Sequence, residues 1–199
     1  MARICTDLND PKLIDLLKNG AVGVVPSDTV YGLMTNAHDQ VAVARLYDLK
    51  HRDQNPGTII AANVAQLEAL GLKARYLRAV EQYWPNPLSV IIPCGEELSY
   101  LHLGKSSLAV RVPADKSLRA LLTQTGPLLT SSANHPGEPV AENLAESQAY
   151  FGELVDFYVD AGDLGVRPAS TIIQVVDDAI EVLRRGAITI DENGRITNP

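Results

Sequence analysis

Long apolar runs are missing from this 199-residue chain. No stretch approaches the roughly 18 residues that a membrane-spanning helix needs, so no membrane partner is predicted. The opening "MARICTDLNDPK" has one arginine and no apolar core, which predicts no secretory leader. Cysteine is scarce, occurring only as Cys5 and Cys94, and neither has a Cys or His neighbour at metal-ligand spacing. Two such cysteines without an export signal fit a reducing cytoplasm, the expected location. Positive charge is in deficit: 17 Lys and Arg face 24 Asp and Glu, giving a net charge of −7 and a sequence pI near 5.0. That balance excludes a surface that coats nucleic acid generally, but not a local basic groove.

Familiar catalytic signatures are missing as well. There is no G-x-S-x-G elbow, and His38, His51, His102 and His135 form no H-E-x-x-H or related pattern. Hydrolase and zinc-enzyme readings have no support, and no protein-bound metal site is predicted. "LHLGKSSL" (101–108) looks at first like a phosphate loop. It fails, because Ser99 stands where the first glycine is required and a strand, "LAVRVP", follows instead of a helix.

What remains is an ordinary globular composition, 46% hydrophobic and 21% charged with a mean hydropathy near zero. At this length one domain can bury a full core. The patterns predict helices over "PKLIDLLKNG" (C-capped at Gly20), over "HDQVAVARLYDLK" from Asp39 with Ala42, Leu46 and Leu49 on one face, and over "VAQLEALG" and "ARYLRAVEQYW". The proline pair in "PNP" (85–87) stops the last of these. "DKSLRALLTQTG", with Asp115 as N-cap, and "AENLAESQAYFG" supply two more. Strands are predicted at "AVGVVP", "TIIAAN", "LSVIIP", "LAVRVP", "VDFYVD", "STIIQVV" and "AIEVLRRGAI". Their irregular alternation predicts an α/β (α+β) fold, a single domain with a mixed parallel and antiparallel sheet and covering helices.

Four features can carry chemistry, and each also has a plain structural reading. Ser27, Asp28 and Thr29 leave a buried strand, either as a ligand loop or as a turn that caps the next element. Lys50, His51 and Arg52 end a helix. They either offset its dipole or, if the exit is extended, aim Lys50 and Arg52 to one side toward an anion. Thr130, Ser131, Ser132 and Asn134 form either a neutral anion cradle or a capping loop. Arg111 lies inside an apolar strand and needs a partner, either a structural carboxylate or a ligand. Ser170 and the pair Arg184–Arg185 flank further strands.

Taken in order, seven segments resemble the YrdC/YciO family, and within it the threonylcarbamoyl-AMP synthases. They are "PSDTVYGLM", "KHR", "WPNP", "AVRVP", "SANHPG", "ASTII" and "LRRGAI", and the match spans about residues 10–188. The resemblance implies a twisted mixed sheet with a concave basic cavity. It also implies synthesis of threonylcarbamoyl-AMP and pyrophosphate from L-threonine, bicarbonate or carbon dioxide, and ATP with Mg2+. Carried over by position, Lys50 and Arg52 would be catalytic and would contact ATP. Thr29, Arg111, Thr130 and Ser170 would bind L-threonine, while Ser107, Ser132, Asn134 and Arg184 would bind ATP. The implied role is threonylcarbamoyl-adenosine modification of tRNA, with downstream transfer proteins as partners and tRNA or double-stranded RNA as a further ligand. The other branch implies a different class, an RNA-binding module of the same fold without synthase activity. Against the family pattern, Ser27 and Asp28 replace Thr and Glu, Pro136 replaces Ser, Arg185 replaces Pro, and "DQNPG" after Arg52 is one residue short. The chain is similar to the short form with no additional C-terminal domain.

Overall fold

Short β-branched runs and helical stretches of four to ten residues resolve, in a computed structural model describing residues 2–51, 55–177, 179–191 and 193–197, into alternating strands and helices. The first half holds β1 (Arg3–Cys5), α1 (Pro11–Lys18), β2 (Gly23–Pro26), β3 (Tyr31–Asn36), α2 (Gln40–Leu49), β4 (Thr58–Ile60), α3 (Val64–Leu70) and α4 (Ala74–Val80). The second holds β5 (Leu88–Pro93), α5 (Ser99–His102), β6 (Ser107–Arg111), α6 (Lys116–Thr125), β7 (Leu128–Ser132) and α7 (Leu144–Phe151). It closes with β8 (Phe157–Val159), β9 (Thr171–Val176), β10 (Ala179–Arg184), β11 (Thr189–Ile190) and β12 (Ile196–Thr197).

Side chains start and stop the helices as the sequence predicts. Asp39 accepts from the amides of Val41 and Ala42 at the head of α2, and Asp115 accepts from Leu118 N at the head of α6. At the end of α1 the C-cap is Asn19, one residue before the predicted Gly20, which follows it with φ +76. The strand β3 was not predicted. Its "YGLMTN" has a glycine in the middle and no β-branched run, and it forms because β2 and β7 flank it on both sides.

Ten strands make one mixed sheet in the order β1-β8-β2-β3-β7-β4-β6-β5-β9-β10. β4 runs parallel to β6 and β5 parallel to β9, whereas β7 runs antiparallel to both β3 and β4, and β5 antiparallel to β6. Side-chain alternation divides the sheet into two faces. On one face Leu33, Ile59, Val90, Val110 and Leu129 join Val43 and Leu46 of α2, Leu67 of α3 and Leu77 of α4 in the larger core. On the other, Val25, Met34, Ile60 and Leu128 are covered by Leu13 and Leu17 of α1 and Leu118, Leu121 and Leu122 of α6. That second cover is partial. Next to Ile60 and Leu128 the same face continues as Thr58, Thr130 and Ser132, and there it is open.

Cys94, just after β5, is half-buried, and burial, with Glu97 and Glu96 nearby, pushes its thiol up to about 11. A raised thiol pKa keeps the unreactive protonated form below that pH. Iodoacetamide at pH 8 is expected to alkylate Cys94 more than tenfold slower than a free cysteine. Mass-spectrometric rates should climb with pH toward a midpoint near 11.

Candidate active site

The open half of the second face forms the floor of a cavity of about 540 Å³. Ile91, Ala109, Thr58 and Thr130 lie side by side in one register row across β5, β6, β4 and β7, and all four line it. Two-residue alternation then puts Ser107 and Arg111 of β6 and Ser132 of β7 on the same floor. The sequence "LLTSS" of β7 therefore changes from covered apolar to open polar within one strand. Gly32 on β3 completes that side, since a Cβ there would stand 2.7 Å from Thr130 Oγ1.

Arg111 is 3% exposed. Its Nη1 donates to Asp28 Oδ1 in a short ion pair, and its Nη2 reaches Thr29 Oγ1 at 3.5 Å. Asp28 Oδ2 accepts in turn from Ala114 N at 2.7 Å, so both carboxylate oxygens are used. The loop bearing Asp28 is braced from within, Ser27 Oγ donating to Val30 O at 2.7 Å and lying 3.0 Å from Thr29 Oγ1. The partner that an arginine inside an apolar strand requires is thus a structural carboxylate. One edge of the guanidinium is committed to that pair.

Seven of the predicted site residues, Thr29, Ser107, Arg111, Thr130, Ser132, Ser170 and Arg184, line this cavity. Arg184 donates through Nε and Nη2 to Ser170 O, at 3.1 and 2.8 Å, and through Nη2 to Ser170 Oγ at 3.0 Å. Ser170 Oγ also meets Ser89 Oγ at 3.0 Å. These contacts depend on Gly186, where a Cβ would lie 2.2 Å from Ala169 O; the glycine of "LRRGAI" lets that turn press against "ASTII".

Lys50 does not line the cavity. It is 1% exposed, and its Nζ donates to Ser132 O at 2.7 Å, to Asn134 Oδ1 at 2.9 Å and to Asn134 O. Ser132 Oγ donates to the same Asn134 Oδ1 at 2.7 Å, and Asn134 Nδ2 donates to Glu138 O. Lys50 and Asn134 therefore stand behind the wall and shape it. The expected extended exit after α2 is wrong at its first step: Lys50 is helical as the C-cap and His51 has φ +48. The amide of Lys50 still serves the helix end, so the chain turns there and does not alternate. His51 packs its ring 6.1 Å from that of His135. Arg52, with Asp53 and Gln54 of the shortened "DQNPG" turn, lies outside the described residues.

Sequence reasoning passed over several cavity residues, three of them with long side chains. Lys105 stands at the rim in the rejected phosphate-loop stretch, and Gln174 and Leu183 come from β9 and β10. The hydroxyl of Ser131, also at the wall, is buried without a hydrogen-bond partner among the described residues. Such a group is costly unless something else satisfies it.

A family model covering the Sua5, YciO and YrdC proteins, described as telomere recombination, matches residues 15–186. The chain belongs to this Sua5/YciO/YrdC family. Within the family, a threonylcarbamoyl-AMP synthase from Chromohalobacter salexigens is 38% identical over 85% of this chain and 92% of its own length. Another, from Bacillus subtilis, is 32% identical over 96% of this chain, which spans only 58% of that relative. Among solved structures, P. abyssi Sua5 complexed with L-threonine superposes with a TM-score of 0.81 at 25% identity, over 94% of this chain and 58% of that one. The shared fold of the family is the mixed sheet described above.

Removing one partner of a buried ion pair leaves the other charge without compensation. Asp28→Asn is expected to lower stability by about 3 kcal/mol in urea unfolding, whereas the double variant Asp28→Leu/Arg111→Met should stay within about 1 kcal/mol of wild type.

Proposed function

We propose that the protein is an L-threonylcarbamoyladenylate synthase, a nucleotidyltransferase acting as one domain over residues 1–199. The observation that carries this reading is the gathering of seven predicted substrate residues, from motifs spread along the chain, around one cavity. The 38% identity to a named synthase and the likeness to a structure complexed with L-threonine support it.

In this reading the amine of L-threonine adds to carbon dioxide, forming a carbamate N–C bond and releasing a proton. A carbamate oxygen then attacks the α-phosphorus of ATP. The new O–P bond replaces the bond to the β-phosphate, and pyrophosphate departs. Both reactants are anionic, so the protein's task is to hold them together against repulsion and in line. Arg111, with one edge fixed by Asp28, turns its remaining donors to the threonine carboxylate, while Thr29, Thr130 and Ser170 border the amino acid. Ser107 and Ser132 take the nucleotide, with Arg184 beside Ser170 between the two substrates. Lys50 and Asn134 fix the Ser132 turn, and Arg52 supplies charge to the reacting phosphate. Among the described residues no three carboxylate, histidine or cysteine side chains gather to hold a metal. Mg2+ would enter on the phosphates of ATP as part of the substrate. The product would feed tRNA modification through downstream transfer proteins in the cytoplasm; no helix among the described residues is long and apolar enough to cross a membrane.

Incubation with ATP, L-threonine, bicarbonate and Mg2+ is expected to yield threonylcarbamoyl-AMP and pyrophosphate by mass spectrometry. Arg52→Ala should abolish turnover with the melting temperature unchanged. Arg111→Lys, which keeps the charge but loses the fork, should raise the threonine KM about tenfold. Absence of product, together with salt-sensitive binding of duplex RNA, would replace this reading by the RNA-binding module.

A further inference from the structure

The turn between α5 and β6 is an expensive piece of backbone. Leu103, Gly104 and Ser106 all have positive φ, at +48, +80 and +54, and two of the three are not glycine. Left-handed non-glycine residues persist only where their surroundings hold them. Here the holder is His102, whose side chain is fully buried. Its Nδ1 accepts from Gly104 N at 3.1 Å and from Ser106 N at 3.2 Å, while its carbonyl accepts from Lys105 N at 2.9 Å. Ser106 O is tied to Cys94 N, just beyond the end of β5, at 3.0 Å. An imidazole that accepts two N–H groups at Nδ1 must carry its proton on Nε2. That Nε2 is buried and has no partner among the described residues. Two strained residues and an unsatisfied donor are thus held together in one turn.

What the turn delivers is Lys105. It lines the rim of the cavity, two residues before Ser107, and its ammonium makes no hydrogen bond or ion pair among the described residues. By contrast, Arg111 is neutralised by Asp28. Four residues of strand separate Ser107 from Arg111, about 13 Å at the usual rise. An amino-acid carboxylate bound at Arg111 cannot also reach Lys105, so Lys105 faces a second anion. We propose that Lys105 binds the β- and γ-phosphates of the nucleotide at the cavity mouth, and that His102 is the positioning residue that holds the Lys105 turn in place. This rests on the synthase reading and adds a ligand contact that the seven motifs do not include.

Titration calorimetry with AMP and with a non-hydrolysable Mg2+–ATP analogue tests it. Wild type is expected to prefer the triphosphate. Lys105→Ala should lose about fivefold in analogue affinity and nothing for AMP, while Lys105→Arg retains the preference. His102→Leu should show the same selective loss, and His102→Asn, whose Oδ1 can accept in place of Nδ1, should restore it. Equal affinities of Lys105→Ala and wild type for the analogue, or equal weakening for both ligands, would overturn the proposal and leave the synthase reading standing. Failure of wild type to bind either nucleotide would overturn both.

Discussion

The partial cover on the second face of the sheet is the constraint from which the site follows. The central strands are pinned from behind by a continuous apolar core, so their front-facing side chains are set by the register of the sheet and not by mobile loops. α1 and α6 dry one half of that front face. The other half, where β7 passes from Leu128 to Thr130 and Ser132, is left as a rigid polar floor. A floor built this way keeps its polar groups in place with little reorganisation.

Charge is the second constraint. The protein is acidic overall, yet the site gathers cations, Lys50 and Arg111 buried and Arg184 exposed, and each is used in a different way. Arg111 is held by a carboxylate, Lys50 by carbonyl and amide oxygens behind the wall, and Arg184 by Ser170. A desolvated guanidinium with one edge already occupied, as at Arg111, offers its remaining donors in a fixed direction, which favours planar anions over diffuse attraction. Net acidity elsewhere works against the non-specific binding of nucleic acid.

Glycine and hydroxyl residues in the motifs gain a physical meaning from these contacts. Gly186 is needed because backbone at 169–170 occupies the space of a side chain, and Gly32 because Thr130 does. Ser132 serves as a hydroxyl toward the cavity and as a carbonyl toward Lys50. The motifs are short because each supplies one edge of a site whose other edges come from distant segments.

Much of this was legible in the chain itself. The caps at Asp39 and Asp115, the strands at Thr58–Ile60, Leu88–Pro93 and Thr171–Val176, and the mixed sheet follow from local periodicity and turn chemistry, which act over a few residues. β3 was not legible, because its stability comes from two neighbours and not from its own residues. Nor was the fate of "KHR". The residue types allowed either a helix end or an anion site, but the left-handed turn at His51 and the burial of Lys50 against Ser132 and Asn134 involve a loop more than 80 positions away. The sequence by itself determined which residues are capable of the chemistry, since charge, hydroxyl and backbone freedom are properties of each residue. Only the tertiary structure decided which of them share a cavity, which are spent on neighbours such as Asp28, and that Lys105 stands at the rim, because those outcomes depend on register and packing between segments that no local pattern encodes.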